Sequence, residues 1–75
     1  MISLVISHDE EWDDWIVKWM EHGRLDEEKS YHAYGDKQDA IETMHDMYLR
    51  GLDEGLDIQE DPLYSLWQEK LERNR

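Results

Sequence analysis

The sequence predicts a small α+β domain, a two-layer β-α-β-α-(β)-α arrangement with helices packed on one face of a short sheet. Three observations predict it: an alternating apolar segment opens the chain, apolar stripes at helical spacing follow, and glycines punctuate the periodic runs. The 75 residues, with no cysteine and one proline, make residues 1–75 one domain with no disulfide framework. A mean hydropathy of -0.98 and a net charge of -12 lean towards disorder. Four Trp and four Tyr at regular spacing outweigh that lean, because they supply a core.

Ile2, Leu4 and Ile6 alternate with Ser3, Val5 and Ser7, the period-two pattern of a strand. Ser7 and Glu10 have capping-box spacing, and Asp9, Glu10 and Glu11 suit the positive end of a helix dipole. Trp12, Trp15, Ile16, Trp19 and Met20 then form an i, i+3, i+4, i+7, i+8 stripe, which predicts a first helix ending at Gly23. Trp15 and Trp19 are assigned to its core face and Trp12 to the edge. Leu25 to Lys29 reads as a charged loop, and Ser30 to Tyr34 as a second strand closed by Gly35. Asp36 caps a second helix with Ala40, Ile41, Met44, Met47 and Tyr48 inward, stopped by Gly51. Residues 56–58 fit either a short strand or a loop. Asp61-Pro62 starts a third helix whose apolar face is Leu63, Leu66, Trp67 and Leu71.

Charge is the most informative part of the composition. Residues 1–61 hold 18 acidic and 5 basic side chains, whereas residues 62–75 hold 2 and 3. On the predicted first helix Glu10, Asp13, Asp14 and Glu21 face outward, with Lys18 as the lone cation. On the second, Asp39, Glu42 and Asp46 do so, and Asp26, Glu27 and Glu28 carry the acid into a loop. Like charges three or four residues apart cost a helix about 0.2–0.5 kcal/mol per pair, so stability alone does not favour them. A solvating surface is the plain reading of such runs. The sharper one is a ligand for a basic groove, since duplex DNA is itself a row of closely spaced anions.

In size, acidity and the clusters Asp9-Glu10-Glu11, Asp13-Asp14 and Asp26-Glu27-Glu28, the chain resembles the phage-encoded DNA-mimic inhibitors. Those proteins block restriction enzymes, CRISPR effectors, uracil-DNA glycosylase or nucleoid proteins of the HU type. The resemblance implies steric and electrostatic inhibition without catalysis, by covering a basic DNA-binding protein of a host. The absence of cysteine and the short apolar runs separately read as cytoplasmic. The partner-binding residues would be the ten outward acids named above. The competing expectation is a small interaction or transcription-regulatory module that docks through Trp12, Tyr34 and Trp67.

Other chemistries are disfavoured. An acidic chain repels nucleic acid and anionic membranes, and the longest apolar run, Leu4 to Ile6, is too short to span a bilayer. No HExxH and no His pair at i, i+4 is present, and no register of the Asp53–Asp57 segment fits a calcium loop, so neither metal nor cofactor is expected. Paired carboxylates need a desolvating cleft to do acid–base work, and a domain this small offers little concave volume. No enzyme is expected. Three indoles exceed what one small sheet easily covers, which leaves a homodimer open as a further partner.

Overall fold

A computed structural model describes residues 1–66. The element order is β1 (Ile2–Asp9), β2 (Asp14–Glu21), β3 (Arg24–Tyr34), α1 (Lys37–Asp53) and β4 (Ile58–Gln59). The strands form one mixed sheet in the order β3-β2-β1-β4, antiparallel except for β1 beside β4. The α+β class stands, but the layout is β-β-β-α-β, with one helix among the described residues. The third predicted helix, with Trp67 and Leu71, lies for the most part outside them. Of its described positions, Leu63 is exposed and Leu66 packs against the core.

The predicted first helix is corrected to a hairpin. β1 runs on through His8 and Asp9, residues 10–13 turn, and β2 returns antiparallel, pairing Leu4 with Trp19 and Ile6 with Val17. Trp15, Val17 and Trp19 therefore share one face at period two, and Ile16, Lys18 and Met20 the other. The β-branched and aromatic content of residues 15–19 favours this extended form. His22 (φ 52°) and Gly23 (φ 78°) then make a two-residue turn between the paired Glu21 and Arg24. Positive φ at both positions is the type I′ geometry that suits the twist of a hairpin.

The charged loop at 25–29 is also corrected, because it belongs to β3. A bulge interrupts the ladder between Val17 and Trp19. Ser30 repairs it: its Oγ accepts from the Trp19 N–H at 3.0 Å and donates to the Asp26 carbonyl at 2.7 Å. The Asp26 carboxylate accepts from the backbone N–H groups of Glu28 and Lys29.

The second predicted helix is α1. Asp36 accepts from the Asp39 N–H as its N-cap, and Ala40, Ile41 and Met44 are buried, with Met47 and Tyr48 half-buried. It continues two residues past Gly51, which is an interior position lying so close to Ile58 that a Cβ there would stand 2.8 Å from its Cδ1. The stop is at Gly55 (φ 77°), where Gly55 N–H donates to the Leu52 carbonyl and Leu56 N–H to that of Gly51. These two bonds are a Schellman motif.

α1 covers the sheet face that carries Ile2, Leu4, Ile6, Val17, Trp19, Ala33 and Ile58, and this is the core. Ile58 and Gln59 pair with Ile2 and Ser3, so the ambiguous segment at 56–58 does reach a strand. Beyond β4 the buried Asp61 takes over the edge of β1, its Oδ2 accepting from the Ile6 N–H at 3.1 Å. Its Oδ1 accepts from the Leu63 N–H at 3.0 Å.

Candidate functional site

The fold divides the ten predicted partner-binding acids into three groups and dissolves the rank expected on a first helix. Glu10 and Asp13 lie in the β1–β2 turn, with Asp14 at the start of β2. Glu21, Asp26, Glu27 and Glu28 converge at the opposite end of the sheet, where with Arg24 and Leu25 they line an open cleft. Asp39, Glu42 and Asp46 ride on α1.

Not all of these carboxylates are free to face a partner. Asp14 is buried, and its Oδ2 lies 2.6 Å from His32 Nδ1. A buried carboxylate is costly without such a partner, which makes this acid structural. Its Oδ1 has no hydrogen-bond partner among the described residues. Asp39 is half-buried and accepts from the Tyr31 hydroxyl and the Thr43 hydroxyl, tying α1 to β3. Asp46 pairs with Arg50 at 3.2 Å. Glu10, Asp13, Glu27, Glu28 and Glu42 are exposed, and Glu21 and Asp26 half-buried.

Among the described residues, lysines and arginines pair with few of these carboxylates. Arg50–Asp46 is the only ion pair from a lysine or arginine among the described residues. Lys29 lies over the Trp19 ring, and Lys37 over both Trp15 and Tyr64, so these two ammonium groups face aromatic π-clouds instead of carboxylates. Helical carboxylates one turn apart are about 5.4 Å apart along the axis, and alternate strand positions roughly 6.8 Å apart. Glu42 and Asp46, four residues apart on α1, are separated by about 6 Å along the axis.

Sequence reasoning missed the pairing of histidines with acids. His8 Nε2 stands 2.8 Å from Asp13 Oδ1 while its ring stacks on Trp15 at 4.0 Å, and His45 Nδ1 stands 3.1 Å from Glu60 Oε2. The partners are 5 to 18 residues apart in sequence, so only the hairpin register and the helix–sheet packing bring them together. No three His, Asp or Glu side chains among the described residues are grouped to hold a metal ion. No helix among them is long and apolar enough to cross a membrane.

Tyr31 provides a local test of this geometry. Its phenol is held above its ordinary value near 10, chiefly because the hydrogen bond it donates to Asp39 stabilises the neutral form, with desolvation and the Asp39 charge acting the same way. The contact's contribution is therefore complete below pH 10 and is lost as pH rises through the higher folded-state value. In a spectrophotometric titration, Asp39→Asn is expected to bring one tyrosine back towards the ordinary range. An unchanged titration curve would show that the contact does not hold in solution.

No family model, curated protein or solved structure matches the chain.

Proposed function

We propose that this chain is a non-enzymatic inhibitor that occupies the DNA-binding surface of a basic protein. The observation that carries the reading is the excess of carboxylates that, among the described residues, have no lysine or arginine partner on a sheet-and-helix body. Acids anchored to strands and a helix give up little conformational freedom on docking. Their contact with a cationic groove would release counterions much as DNA does. The presenting elements differ from the two helices expected: the hairpin turn supplies Glu10, with Asp13 exposed but engaged by His8, β3 supplies Glu27 and Glu28, and α1 supplies Glu42. The buried Asp14 and the hydrogen-bonded Asp39 are withdrawn from the contact set.

The test uses three purified probes: an HU-type nucleoid protein, a restriction endonuclease and a CRISPR effector. At least one is expected to be held, to release the chain when duplex DNA is added, and to bind more weakly as salt rises. A quadruple variant, Glu10→Gln, Glu27→Gln, Glu28→Gln and Glu42→Gln, should melt like the parent. It should bind at least about tenfold more weakly with a shallower salt slope, because each removed contact lowers that slope. Full affinity in a folded quadruple variant would overturn the proposal.

A second reading, docking through aromatic surface, is favoured by the exposure of Trp12 (70%) and Tyr34 (69%). It predicts binding that is nearly indifferent to salt and lost on Trp12→Ala or Tyr34→Ala.

A further inference from the structure

The face of the sheet turned away from α1 is left uncovered by the elements described. Val5 and Leu25 are 38% and 45% exposed, and Tyr34 stands beyond them. The register places Val5 opposite Lys18, Ser7 opposite Ile16, Met20 opposite Leu25 and Ile16 opposite His32, all on this one face. Ile16, Leu25 and Ser30, with Lys18, Glu27 and His32, line a cleft of about 350 Å³ in it. An apolar patch rimmed by polar groups is the anatomy of a protein interface.

Charge decides what covers it. Asp9, Glu10 and Asp13 border the patch at the hairpin end, and Glu27 and Glu28, beside Arg24, at the other, with Lys18 the one lysine or arginine on the face itself among the described residues. A second copy would bring another net charge of -12 against these rims, and a nucleic acid or an anionic bilayer would be repelled in the same way. We infer that the open sheet face is the centre of the docking surface. It would receive an apolar patch on a basic protein, while the acids at both ends contact the surrounding lysines and arginines. This rests on the inhibitor reading above and adds to it a division of labour. Charge sets the approach and the salt dependence, and the apolar centre sets the lifetime of the complex.

The test takes whichever of the three purified probes is held most tightly by the parent chain. The variant Val5→Thr, Leu25→Thr, Tyr34→Thr places a β-branched side chain at each of the three strand positions and so preserves strand propensity. It is expected to retain the parent's melting curve and salt slope while binding at least about tenfold more weakly, through faster dissociation. Leu25→Thr alone, expected to weaken binding about threefold or more, serves if the triple variant unfolds. Unchanged affinity in a folded variant overturns the role of the face and leaves the acidic reading standing. A parent that sediments as a dimer, and a variant that does not, assigns the face to a second copy and overturns the inference. Nuclear Overhauser contacts from residues 67–75 to the Ile16 and Met20 side chains in the full chain overturn it in favour of the chain itself. Failure of all three probes to bind the parent overturns both readings together.

Discussion

Replacing Leu4 with alanine is expected to leave the domain largely unfolded at physiological temperature. Leu4 is 1% exposed, lies in the central strand β1 opposite Trp19, and is among the largest fully buried side chains together with Met44 and Val17. Truncating a buried leucine costs about 2–5 kcal/mol, from lost transfer energy and the cavity left behind. A core of this size supplies only about 3–5 kcal/mol in all, and the chain has no disulfide to add to it. One substitution thus removes most of the margin. Val5→Thr, the neighbouring position on the opposite face, is expected to change stability by about 0.5 kcal/mol or less, as exposed positions usually do. Urea denaturation of the two variants side by side checks both figures. Equal, small losses would mean that Leu4 is not at the centre of the core.

The second large effect is expected at Asp61, where a side chain does the work of a strand. Its two carboxylate oxygens accept from separate backbone donors, Ile6 N–H and Leu63 N–H, and the residue is buried. Alanine leaves the Ile6 donor without its partner, at a cost of about 1–3 kcal/mol, and removes a hydrogen bond to a charged acceptor. Asparagine is expected to rescue only part of the loss. It has one acceptor oxygen, and its amide nitrogen would confront a donor whichever way it is turned. Hydrogen exchange adds a local readout, because the Ile6 amide should lose protection ahead of the Val17 amide in both variants. Parent-like protection of Ile6 in Asp61→Ala would show that the carboxylate does not hold this edge.

Some of the fold was legible because single residues carried unambiguous signals. Ile2, Leu4 and Ile6 admit only a strand, and the pair Asp36 and Asp39 ahead of Ala40, Ile41 and Met44 admits only a helix start. The segment 9–23 reads as a helix because two periods coexist in it. Trp12, Trp15, Ile16, Trp19 and Met20 satisfy the helical spacing, while Trp15, Val17 and Trp19 satisfy the alternating one that the structure adopts. Leading acids suit a first helical turn as well as a hairpin loop, and His22-Gly23 suits a helix end as well as a type I′ turn. Packing against β1 and β3 decides between them, and a local pattern does not encode it.

For the candidate site, the amount of charge was legible and its placement was not. Composition shows an excess of carboxylates, but only the three-dimensional register reveals that Asp14 faces His32, that Asp39 is engaged by Tyr31, and that Lys29 and Lys37 lie over aromatic rings. The apolar open face was hidden for the same reason. Ile16 and Met20 looked like members of a single stripe with Trp15 and Trp19, and the pleat sends them to the opposite side.

The interior position of β1 governs the order of assembly. Its contacts with β2 are local and form early, whereas its other edge is closed by Ile58, Gln59 and an aspartate 55 residues away from the amide it binds. During synthesis β1, β2 and β3 therefore emerge before the last partner of β1, leaving one edge of that strand without its native neighbour until then. Such an edge is a template for pairing with other chains, and contacts so distant in sequence slow the final closure. The nascent protein is thus most vulnerable to misassociation in the interval between completion of β3 and arrival of Asp61.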